Sequence, residues 1–128
     1  MSFVYKPPTE WIAPDVFPTE LLCQAKEIAI DLETRDPHLK ELGPGYIRGD
    51  GEAVGISFAI DGYENYFPFA HESGFNFSKK KVLEFTKKIC ATNSDKIFHN
   101  STYDVGWLTH HGVPINGRII DTMIVAPL

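Results

Sequence analysis

Apolar and polar positions first alternate in Lys26–Thr34 (KEIAIDLET), where Ile28 and Ile30 fall on one face and Ala29 and Asp31 on the other. That two-residue period predicts a strand. A loop rich in Gly, Pro and charge follows from Arg35 to Gly51. Ala53–Ile60 (AVGISFAI) predicts a second strand, Asp61-Gly62 is a hairpin turn signal, and Glu64–Phe69 (ENYFPF) pairs back as a third. Pro68, which lacks an N–H, suits an edge or a bulge. Ser78 caps an expected helix to about Cys90, whose stripe is Val82, Leu83, Phe85, Thr86 and Ile89 and whose lysines 79, 80, 81, 87 and 88 form a solvated face. Lys96–His99 is a short fourth strand, Asn100 or Ser101 caps a helix ending near Gly112, Arg118–Ile120 is a fifth strand, and Asp121 caps a last helix barely begun at Leu128. The order βββαβαβα gives an α/β fold, a mixed sheet with helices on its faces. Residues 1–25, with Pro7, Pro8, Pro14 and Pro18, read as an extended N-terminal arm, and residues 26–128 as the domain.

Composition changes this picture little. A chain of 128 residues is one domain able to bury a core. The net charge of −5 argues against a basic coat for duplex DNA, yet bound cations would reverse the sign locally, so an acidic nuclease stays open. Cys23 and Cys90 lie far apart without zinc spacing and are expected to be reduced thiols. No run approaches the roughly 20 apolar residues of a membrane span. With no secretory signal, the Asn-x-Ser/Thr triplets at Asn76 and Asn100 are chance matches, and the expected location is cytoplasmic.

The candidate chemistry is a set of acids. Asp31 and Glu33, two apart at the end of an apolar strand, point to one face. Paired carboxylates there repel and are costly to desolvate unless cations hold them. Asn100 and Asp104, four apart, share one helix face that Trp107, Leu108 and His111 continue, so Asp104 falls on the buried stripe and needs a partner. A purely structural account has Asp31 capping a turn, Glu33 paired with Arg35, and Asp104 with a lysine. Both accounts stand on spacing alone.

The segments IAIDLET, VGISFAIDG, YFPFAH, IFHNSTYDVGWL and GRIIDTMIVAPL resemble, in that order, the 3′–5′ proofreading exonuclease domain of family A DNA polymerases. The stretch GPGYIRGDGEAVG is similar to the phage versions. The resemblance spans Glu27 to Leu128 and implies the ribonuclease-H-like fold of the DEDD exonucleases, truncated here before its last helices. It implies two divalent metal ions, Mg²⁺ or Mn²⁺, about 4 Å apart. Asp31 would bridge both, Glu33 would serve the ion carrying the attacking water, and Asp104 would serve the other. Thr34 and Asn100 would contact the terminal nucleotide of a single DNA strand, and the product would be a 5′-monophosphate nucleotide.

The same resemblance calls for a fourth acid, an Asp on a late helix with Tyr or His four residues before it, several dozen residues beyond Asp121. Asp121 itself reads as a cap, and His110 and His111 are not expected to act as a base. The expected partners are a single-stranded DNA 3′ end and a downstream polymerase domain, with no membrane, in a bacterial or phage-infected cell. Little activity is expected of the chain alone. Apolar surface left by the absent helix invites a homodimer. Among Tyr5, Trp11, Phe17, Tyr46, Tyr63, Tyr66, Phe75 and Phe77, Tyr46 is the best candidate for stacking on a base. Arg35, Lys40 and Arg48 could meet phosphates, and His71 reads as structural. The competing readings are a nuclease-like domain kept for binding or scaffolding, and an RNA-trimming DEDD exonuclease.

Overall fold

The computed structural model describes residue 14 and residues 16–125, with the side chains of 124 and 125 excepted. Most of the expected arm, with Tyr5 and Trp11, lies outside the described residues. Its last part is not extended. Thr19–Cys23 forms a short helix, α1, entered through Pro18, whose fixed φ suits the start of a helical turn. Leu22 on α1 is fully buried, and Phe17 just before it packs against Phe67, Phe77 and Phe85 at centroid distances of 5.7, 5.3 and 4.9 Å. The apolar residues Phe17 and Leu22 thus draw this segment onto the core.

The remaining elements follow the expected order, with two small additions in the first loop. β1 is Glu27–Arg35, α2 Leu39–Leu42, a 3₁₀ turn Gly45–Ile47, β2 Glu52–Ile60, β3 Tyr63–Pro68, α3 Lys79–Cys90, β4 Asp95–Phe98, α4 Ser101–His110, β5 Ile119–Asp121 and α5 Thr122–Val125. The five strands form one mixed sheet in the order β3-β2-β1-β4-β5. β1–β2 and β2–β3 are antiparallel, β1–β4 and β4–β5 parallel. Gly62, at φ +83°, makes the β2–β3 turn that its Asp-Gly signal predicts. Pro68 sits on the edge strand β3, where its missing N–H costs no ladder bond.

Alternation along β1 sorts the two faces. Ile28 and Ile30 are buried with Phe58, Phe67, Phe85, Phe98, Trp107 and Leu108 in a single apolar cluster between the sheet and α1, α3 and α4. Ser78 caps α3 as expected, accepting from the Lys81 N–H at 3.4 Å, and the lysines of α3 are exposed. The other face is open where Ala29, Ser57, Ala59 and Ile97 line a hollow beside Asp31 and His99. Cys23 and Cys90 are both free thiols. Among the described residues no helix is long and apolar enough to cross a membrane.

α4 is seated by a close approach at Gly106. A Cβ there would stand 2.1 Å from the Tyr46 ring of the 3₁₀ turn. Gly106→Ala should therefore lower the midpoint of thermal or urea unfolding, an overpacking cost of about 1–3 kcal/mol outweighing the helix propensity gained. Adding Tyr46→Ala should cost less than the sum of the two single changes.

Candidate active site

The sheet itself creates the site. β1 pairs with β2 along most of its length, but with β4 only over Glu27–Ala29. Beyond Ala29 the β4-side edge of β1 is open, and its backbone donors need other partners. α4 fills the gap with Asp104, which accepts the Leu32 N–H. Asp31 and Glu33 stand on one face of the same stretch, opposite Ser57 and Gly55, and a bulge after Glu33 redirects Thr34.

The electrostatics are those of crowded acids. Asp104 is only 4% exposed, and its Oδ2 is buried without a hydrogen-bond partner. Burial, then the Asp31 charge, push its carboxyl up to about 7, the Leu32 N–H opposes this, and Asp121 and Glu33 push it further. Burial and Glu33 push Asp31 up to about 6, against a counter-pull from His99. Among the described residues, the charges that shift Asp104, those of Asp31, Asp121 and Glu33, are all negative. Lys96, the one fully buried lysine among the described residues, donates instead to Thr92 and Ser94.

An acidic pocket with an unpartnered buried oxygen suits a hard divalent cation, and its donors are all oxygen. Yet among the described residues no three His, Cys, Asp or Glu side chains are gathered tightly enough to hold a metal ion. The acids repel one another across the pocket without forming a closed cage. Water and substrate oxygens would have to complete any coordination, as is usual for Mg²⁺.

The other expected site residues divide. Thr34 lies at the rim, its hydroxyl 2.9 Å from that of Tyr103. Tyr103 donates to Asp36 Oδ2 at 2.8 Å, and the same oxygen accepts the Gly45 N–H at 3.0 Å. Tyr103 and Asp36 were not expected at the site. Tyr103 immediately precedes Asp104 in sequence, a usable signal, whereas its bond to Asp36 spans 67 positions and has none. Asn100 begins α4, exposed, in the left-handed region at φ +71°.

Several expectations are corrected. Asn100 stands at the N-cap position of α4, but its side chain makes no capping hydrogen bond. Asp121 supplies the acceptor from β5, taking the Asn100 N–H at 3.1 Å, the Ser101 N–H at 2.8 Å and the Ser101 hydroxyl at 2.7 Å. It also caps α5 as expected, accepting the Met123 N–H at 2.9 Å. These bonds, led by the Ser101 hydroxyl, hold its carboxyl down to about 2. Tyr46 packs its half-buried ring on Gly106 and meets Trp107 edge-on at 5.5 Å. Arg35 is occupied by Glu52 at 2.9 Å, Glu72 at 3.7 Å and the Ala70 carbonyl at 2.8 Å. Arg48 is held by Asp50 and two loop carbonyls, while Lys40 is exposed. His111 stacks on Trp107, and burial pushes it down to about 4.

No protein-family model matches the sequence. The chain is 39% identical over 108 residues to a DNA-directed DNA polymerase of Pseudomonas phage M6, a match that takes in 82% of this chain. It spans only 16% of that polymerase. In three dimensions it is similar to Brucella melitensis NrnC with bound Mg²⁺, with a TM-score of 0.54 and 21% identity over 85% of this chain and 47% of the other. A structure described as the apo form of a nuclease matches equally well, with a TM-score of 0.54 and 21% identity over 84% of this chain and 45% of that one. The fold is ribonuclease-H-like. Its strand order and crossover helices carry the acids to the open edge of the central strand, where the phage polymerase match also runs.

The raised acids give a signed pH dependence. A carboxyl whose folded pKa exceeds its unfolded value of about 4 adds stability that is complete below that value and lost as pH rises through the folded pKa. Without divalent cations, the melting temperature of the chain should rise as pH falls from 8 to 5. Asp104→Asn should flatten that slope, and Mg²⁺ at pH 8 should recover part of the lost stability. A profile that Asp104→Asn leaves unchanged would rule out a strained acid at this position.

Proposed function

We propose that this chain is the 3′–5′ proofreading exonuclease portion of a DNA polymerase, removing 3′-terminal nucleotides from single-stranded DNA by two-metal hydrolysis. The observation that carries this reading is Asp104, a buried acid with an unpartnered oxygen in the field of Asp31 and Glu33. Such an arrangement is costly for a protein that never binds a cation there. The similarity to a phage polymerase supports the polymerase context.

In this reading Asp31, Glu33 and Asp104 hold the divalent ions. The bound ions would supply charge neutralisation and a readily deprotonated water. A water oxygen would bond to the terminal phosphorus and give up a proton to solvent, the bond to the 3′ oxygen of the penultimate nucleotide would break with that oxygen taking up a proton, and a 5′-monophosphate would leave. Thr34, steadied by Tyr103, and exposed Asn100 flank the position of the terminal nucleotide. Burial and the Asp31 charge push the Asp104 carboxyl up to about 7, so cation binding there should release protons at pH 7.

Calorimetry with Mn²⁺ tests this directly. The wild-type chain should bind the ion with an enthalpy that depends on buffer ionisation, and Asp31→Asn or Asp104→Asn should weaken binding about tenfold or more. Turnover of 5′-labelled single-stranded DNA should shorten the strand from its 3′ end and need the ion. Cation-independent cleavage, or binding insensitive to both substitutions, would refute the proposal.

A further inference from the structure

The acid face of the sheet has a second wall, and the fold takes unusual care over it. Glu33, Thr34 and Arg35 share a cleft with Val54 and with the loop His71–Ser73 that follows β3. That loop is exposed, yet it is fastened at several points. Phe69 and Ala70 N–H both donate to the Val54 carbonyl, at 2.9 and 3.0 Å. Arg35 holds the Ala70 carbonyl at 2.8 Å and Glu72 at 3.7 Å. The Asn76 side chain grips the His71 backbone from both sides, accepting its N–H and donating to its carbonyl, each at 3.0 Å.

The imidazole is fixed as well. Tyr66 pairs with Ser57, which pairs with Asp31, so Tyr66 rises from the same face of the sheet as the acids. Its ring lies along the strand over Gly55, the partner of Glu33, where any Cβ would stand 1.9 Å from the hydroxyl. From there the Tyr66 hydroxyl bonds to Nε2 of His71. A buried tyrosine thus anchors an exposed histidine in the cleft that holds Glu33. Arg35, the cation in this wall, is matched by Glu52 and Glu72 and brings no net positive charge.

We propose that His71 is a substrate-positioning donor for the terminal nucleotide of a single strand. With the Tyr66 hydroxyl as the donor to Nε2, the ring proton sits on Nδ1, which offers an N–H to a phosphate oxygen of that nucleotide. An imidazole N–H suits this wall, because a free lysine or arginine would compete with the cations for the acids. The proposal rests on the exonuclease reading, but it assigns a residue that reading does not need.

Amide chemical-shift mapping of the ¹⁵N-labelled chain with a (dT)₄ oligonucleotide and Ca²⁺ separates the two. Shifts at Glu33, Thr34 and the His71–Ser73 loop are expected. His71→Ala should weaken the oligonucleotide about fivefold or more, with Ca²⁺ affinity and the fold's amide pattern unchanged. Tyr66→Phe should weaken it less, and His71→Gln, which keeps a donor, should recover part of the loss. Shifts confined to the Glu33–Thr34 side, or an affinity that His71→Ala leaves within twofold, would overturn the role of His71 and leave the exonuclease reading standing. An oligonucleotide that perturbs neither side would overturn both.

Discussion

The site depends on an imbalance in how β1 is paired. On one edge the strand is laddered to β2 along most of its nine residues, and on the other β4 leaves it after Ala29. A strand paired on both edges throughout would leave no backbone donor for Asp104 and no opening beside Asp31 and Glu33. Because β4 stops at Phe98, the chain turns at once into α4, and the first turn of that helix passes the gap. Geometry of the backbone places the acids together, and their repulsion is the consequence.

That repulsion is tolerated because the rest of the domain is conventional. The apolar cluster of Ile28, Ile30, Phe58, Phe85 and Leu108 lies across the sheet from Asp31, so the burial that stabilises the fold is separated from the charges that oppose it. Rigid partners surround the acids: Tyr103 ties the start of α4 to the loop after β1 through Asp36, and Tyr46 wedges that loop against Gly106. A carboxylate held within such a frame cannot swing out to water to relieve its strain.

Much of the frame could be read from residue order. Alternation in IAIDLET, the Asp-Gly turn and the Ser78 cap each act within a few residues, and each appears as expected. What escaped depends on distant partners. Lys96 stands on a polar-looking strand position but is fully buried, its ammonium satisfied by the turn at Thr92 and Ser94. Arg35 offers free charge on paper, and Glu52 and Glu72, seventeen and thirty-seven positions on, claim it. The contact of Tyr46 with Gly106 spans sixty positions, and only the missing side chain of Gly106 makes room for the ring. For the acids themselves, spacing gave the shared face of Asp31 and Glu33, while the seat of Asp104 on the Leu32 N–H depends on where β4 ends.

The Asp121 clamp carries a consequence for biosynthesis. The turn that launches α4 is held by a carboxylate that the ribosome adds seventeen residues after Asp104 and long after Asp31 and Glu33. Until that residue has emerged and β5 has docked beside β4, the first turn of α4 lacks its acceptor. The start of α4 is therefore among the later parts of the described fold to gain its full set of hydrogen bonds as the chain is made.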